Sequence, residues 1–205
     1  MKQATGRIDR RSVADNVSIQ LALDGHSFSL VGGQGIQQGT AVSVGVLTVR
    51  TLLVPEELFK PEHAASLLAA DGKAPLTGEE TVCTAPQNGV VAVMAVPSQA
   101  LQQLHERFDE GTPLTYTTPL LLDLHTTQPT VLLQWVAGYL YIKIYQTGLR
   151  LAEVLPAPTD ADIRYAIERL GTAFPFKQYA LRVAGREARR LGKLTGHFFK
   201  QVRCE

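Results

Sequence analysis

Cysteine, tryptophan, methionine and net charge are all scarce in this sequence: two Cys, one Trp, two Met and a formal charge of +1 across 205 residues. Cys83 and Cys204 stand far apart, without metal-ligand spacing, so neither a disulfide framework nor a zinc module organises the chain. Two free thiols in a reducing, cytoplasmic setting are the expectation. Twenty Lys and Arg balance nineteen Asp and Glu, which removes the global cationic footprint of a nucleic-acid binder. No apolar run reaches the roughly 18 residues of a membrane helix. The longest are interrupted by Gln134, Lys143 and Gln146. Residues 1–11 lack the apolar segment of a secretion signal. The five histidines (His26, His63, His105, His125, His197) form no close pair, so no metal site is expected.

What the chain has is apolar content of 45%, enough for a packed core, and one strand pattern written twice. Residues 17–31 alternate around Gly25, and residues 130–144 alternate around Gly138. Each reads as a β-hairpin. Residues 41–50, rich in Val, read as a third strand. Pro55, followed by Glu56 and Glu57, suits the first turn of a helix. Residues 61–70 read as a second short helix, 71–80 as loop, and the run 89–96 as a central strand. Leu101, Leu104 and Phe108 share one face of a helix over 97–108. In the second half, strands are expected over 131–137, 139–146 and 149–155. A helix capped by Thr159 or Asp160 runs to Gly171. A strand over 179–183, a basic helix from Gly185 to about Lys193, and a strand over 198–204 complete the chain. Each half thus reads β-β-β-α-β-α-β, antiparallel meanders followed by crossover helices. Residues 1–15 read as a loose tail.

This order, given twice, resembles the actin-like ATPase superfold. More narrowly, residues 21–29 (Leu-Ala-Leu-Asp-Gly-His-Ser-Phe-Ser) and 53–59 (Leu-Val-Pro-Glu-Glu-Leu-Phe) resemble an uncharacterised bacterial family of that fold and unknown function. The resemblance implies an α/β chain with mixed sheets in two ribonuclease H-like lobes, residues 16–118 and 119–205, reduced in size. It also implies a cleft between the lobes, where the superfold holds ATP with magnesium; no cofactor is assigned to this chain.

The same resemblance locates what is missing. Actin-like ATPases carry an Asp two residues before the hairpin glycine. Here those positions are Leu23 and Val136, while Asp24 stands one residue late, on the opposite face of an ideal strand. Residue 137 is Ala. No catalytic residue is therefore assigned, and a protein-interaction or scaffold role is the leading expectation, with an unidentified protein as partner. The cleft candidates for ligand binding are Asp24, Gly25, Ser27, Gly138 and Gly185. The last opens the strand–helix turn where the superfold holds adenosine. A degenerate nucleotide-binding relative is the first alternative. The second is a nucleic-acid module through Arg186, Arg189, Arg190 and Lys193, which fall on one helical face. Gly33-Gln-Gly35 and Gly192-Lys193 echo phosphate loops but lack their remaining residues. Tyr139, Tyr141 and Tyr145 alternate on one strand and read as packing or a contact surface.

Overall fold

The structure, a computed structural model, describes residues 17–23, 28–32, 41–108, 111–124 and 126–205. The N-terminal tail, the first hairpin turn with Asp24, Gly25 and Ser27, and the glycine-rich stretch from Gly33 to Gly39 lie outside these residues. The described residues form three β-sheets.

The first sheet joins β1 (Val17–Leu23), β2 (Phe28–Gly32), β3 (Val42–Leu47) and β7 (Leu114–Thr117) in the order β2-β1-β3-β7. The expected hairpin β1–β2 is antiparallel. β3 does not extend that meander: it pairs parallel with β1, as β7 does with β3. Its alternation fixes which residues face the core, Val42, Val44 and Val46, but says nothing about the direction of its neighbour.

Between β3 and β7 the chain builds a second, small sheet of β4 (Thr51–Pro55), β5 (Glu79–Cys83) and β6 (Val90–Pro97), ordered β4-β6-β5 and antiparallel throughout. The first half therefore departs from the β-β-β-α-β-α-β expectation. Pro55 ends a strand instead of opening a helix, and only a single 3-10 turn, Glu56–Leu58, follows it. Part of the expected 71–80 loop belongs to β5. β6 is continuous in apolar residues because both its faces are covered. Val93 and Ala95 meet α1 (Ala64–Ala70), while Met94 and Val96 meet α2 (Ser98–Glu106) and the valines of β3.

The third sheet follows the sequence closely. β8 (Thr130–Val136), β9 (Tyr139–Tyr145), β10 (Leu149–Pro156), β11 (Ala180–Ala184) and β12 (Gln201–Cys204) lie in the order β10-β9-β8-β11-β12. The first three are antiparallel neighbours, and β8, β11 and β12 run parallel. Parallel neighbours need crossovers, supplied by α3 (Asp160–Gly171) and α4 (Ala188–Thr195). Thr159 caps α3 in a reciprocal box. Its hydroxyl accepts from the Asp162 N–H, and the Asp162 carboxylate accepts from the Thr159 N–H at 2.9 Å.

One face of this sheet is purely apolar. Val131, Leu133, Leu140, Ile142, Ile144, Leu181 and Val183 pack under α3 and α4 with Phe176 and Tyr179. Each fully buried aliphatic chain there contributes about 1.5–3 kcal/mol. Gly192 explains itself in this setting. A Cβ on it would stand 2.7 Å from Cys204 Sγ, so the glycine in α4 lets β12 approach. The opposite face meets the rest of the chain through Tyr141 and Val154, which bury against Leu47 and Leu120 with Leu53 of β4 alongside.

Candidate functional site

The C-terminal ends of β8 and β11 share one edge of the five-stranded sheet. The β8–β9 turn there has positive φ at both central residues, +48° at Ala137 and +81° at Gly138. That is the geometry of a tight primed turn. Its groups are already committed. The Gly138 carbonyl accepts from the Ala157 N–H at 2.7 Å, and Trp135 Nε1 donates to the Ala157 carbonyl at 2.8 Å. Pro158 closes the space beside Gly138, 3.6 Å from where a Cβ would stand. Gly185, φ +93°, turns the chain out of β11 against the Gln134 side chain. It precedes α4 by three residues and does not open the helix itself. The structure thus places Gly138 and Gly185 on one edge. The other cleft candidates, Asp24, Gly25 and Ser27, fall outside the described residues.

The basic helix face finds a partner that sequence reading missed. Arg189, Arg190 and Lys193 of α4 line a groove of about 460 Å³ with Asp160 and Arg164 of α3. Arg186 sits before the helix, exposed and outside that lining. Arg190 is fixed from two sides. Its guanidinium pairs with Asp160 at 2.7 Å and lies 5.0 Å over the Trp135 ring, a cation–π contact. Arg164, Arg189 and Lys193 have no ion-pair partner within 4 Å among the described residues. Arg164 lies 25 residues earlier on another helix, so no local spacing could have joined it to the α4 cluster.

The polar face of β9 is the second place where chemistry gathers. Tyr141, Lys143 and Tyr145 alternate there, all buried, and Lys143 is only 4% exposed. Tyr141 packs against Leu120 of the 3-10 turn Pro119–Leu121 with Tyr139 alongside, and Tyr145 packs against Leu132, Ala184 and Leu124, in place of the exposed contact surface one reading allowed. Lys143 Nζ stands 3.7 Å from Asp123 Oδ1, and Tyr145 Oη donates to the same oxygen at 2.5 Å. Burial pulls the Lys143 amine below its ordinary value, with the Asp123 charge acting against that pull. Burial, reinforced by the bond to Asp123, pushes the Tyr145 phenol up. The sequence signal was present in Ile142-Lys143-Ile144, a lone charge in an otherwise buried strand. Among the described residues, no three His, Cys, Asp or Glu side chains form a group able to hold a metal ion, and no helix is long and apolar enough to cross a membrane.

No protein-family model and no curated protein matches this sequence. Among solved structures it is similar to a Bacteroides thetaiotaomicron protein with an actin-like ATPase fold and unknown function. The TM-score is 0.67 at 14% identity, over 98% of this chain and 94% of that one. Looser overlaps occur with the cytoplasmic domain of EpsL, an inner-membrane component of the Vibrio cholerae type II secretion system (TM-score 0.40, 8% identity, 82% of each chain). Another is with a PilM–PilN type IV pilus biogenesis complex (TM-score 0.42, 13% identity, 91% of this chain and 87% of that one). The first similarity establishes that this chain has a mixed α/β actin-like ATPase fold.

Proposed function

We propose that this chain is a non-catalytic member of the actin-like fold that acts through protein contacts, with the α3–α4 groove receiving an acidic segment of its partner. In this reading residues 16–118 and 119–205 are the two ribonuclease H-like lobes, the first carrying the β4-β6-β5 sheet. The observation that carries it is the groove itself. Three cations without an ion-pair partner among the described residues line one concave surface, and a fourth, Arg190, pairs with Asp160 and stacks over Trp135. Cations gathered on one surface favour an anionic segment through charge complementarity. The hairpin edge supports the non-catalytic half of the reading. Residues 136–138 supply no carboxylate or hydroxyl, and the Gly138 carbonyl is already bonded. Phosphoryl transfer would need a metal-holding carboxylate there.

The test is fluorescence anisotropy of a labelled glutamate-rich peptide, beside a single-stranded oligonucleotide of equal charge. The reading expects peptide binding that weakens at least about ten-fold when Arg189→Glu and Lys193→Glu are combined, a loss of about 1.4 kcal/mol. Preference for the oligonucleotide, with a steep salt dependence, would move the assignment to a nucleic-acid module. A second reading, a nucleotide-binding relative with degenerate phosphate loops, is favoured by Gly138 and Gly185 sharing one sheet edge. It expects a nucleotide-specific rise in melting temperature with Mg-ATP over magnesium alone.

A further inference from the structure

A cavity of about 530 Å³ lies between the small sheet and the polar face of the five-stranded sheet. This is the size range of small-molecule sites. It lies toward the Tyr145 end of β9, whereas the Ala137–Gly138 turn caps the opposite end of the strand. Its walls are aliphatic and come from separate elements: Leu53 and Val90 from the small sheet, Leu121 and Leu124 from the chain leading to β8, and Leu149 from β10. Its polar groups are Lys143, Asp123, Tyr145, Thr126 and Thr127, with Asn88 beside the small sheet. We propose that this cavity binds a small molecule with an apolar body and a single carboxylate head group, with Lys143 as its counter-charge.

Among the described residues Lys143 is the only cation in the lining, and its side chain is 5% exposed. An amine this deep needs a charge partner. Asp123 meets that need only in part. At 3.7 Å the contact lies beyond hydrogen-bonding distance, so the ammonium keeps donors to give. The contacting Asp123 oxygen already accepts from Tyr145, and the Asp123 side chain is one-third exposed, so its charge is screened from the mouth side. Lys143 and Asp123 thus form a partly compensated pair, with the cation as its more deeply buried member. One half-compensated cation matches a monoanion; a phosphate dianion would leave charge unpaired beside Asp123. The exposed part of the lining is mostly polar, from Asn88, Asp123, Thr127 and Gly148, with Leu149, 45% exposed, as its apolar member.

The experiment is isothermal titration calorimetry of the full chain with octanoate, octanol and octyl phosphate. The expected result is octanoate binding at least about ten-fold tighter than octanol, with octyl phosphate no tighter than octanoate. Lys143→Met should reduce octanoate affinity by at least about ten-fold and leave octanol unchanged. Equal binding of octanoate and octanol, undiminished octanoate binding in a folded Lys143→Met protein, or no binding of any of the three overturns the proposal. Tighter binding of octyl phosphate overturns the carboxylate assignment. Should Lys143→Met fail to fold, Leu149→Glu provides the decision from the exposed rim. It should repel octanoate and weaken it several-fold, and unchanged affinity counts against the site.

Discussion

The two faces of the five-stranded sheet are built from the same strands by opposite rules. Toward α3 and α4, β9 presents Leu140, Ile142 and Ile144 to an apolar cluster whose polar exception is the buried Tyr179 hydroxyl. Away from the helices, the alternate residues are Tyr141, Lys143 and Tyr145, as deeply buried but polar. Burial on the first face stabilises in proportion to area. Burial on the second carries a desolvation cost for each polar atom not fully bonded, and Tyr141 Oη and Gln134 Oε1 are both buried without a partner among the described residues. A sheet that needed only stability would repeat its apolar face. The difference shows which side of the sheet carries the polar burial.

The largest expected effect tests the apolar side. Ile142→Ala should cost about 2–5 kcal/mol in urea unfolding, because the site is fully buried and tightly surrounded. A loss below about 1 kcal/mol would erase the contrast. Next comes the rim of the helical layer. Reversing Arg189 and Lys193 should leave stability within about 0.5 kcal/mol, since both are exposed and have no ion-pair partner among the described residues, while acidic-peptide binding falls. Thr159→Ala should remove the reciprocal cap of α3 and lower stability by about 1 kcal/mol, read from the urea midpoint.

The smallest effect belongs to the polar face. Lys143 is held below its unfolded value of 10.5. Between that lowered value and 10.5 the folded chain binds fewer protons than the unfolded one, so stability rises with pH through that window. Lys143→Met should abolish this rise, seen as wild type gaining on the variant as pH climbs. The tyrosines, both pushed up, lose stability above the ordinary tyrosine range in both proteins and largely cancel in the difference. A stability difference flat in pH would mean that the Lys143 amine titrates as it would in water.

The sequence carried local features well and long-range ones poorly. The β9 alternation, the Thr159 cap and the Ala137–Gly138 turn each depend on neighbours a few residues apart, and each was readable. The parallel pairing of β3 with β1 was not, because alternation is the same for either direction. β5 was missed because Glu79 and Glu80 look like loop; Glu79 is in fact held by Arg50 across the sheet. The α3–α4 groove and the Lys143 cavity both join residues 20 or more positions apart, and only packing brings them together.

The central claim is that this actin-like fold does not hydrolyse ATP. Release of inorganic phosphate from Mg-ATP by the purified full chain tests it most directly, with Asp24→Ala as the control. The account predicts a rate equal to that of buffer for both proteins. Turnover by the wild type that disappears in Asp24→Ala would contradict it.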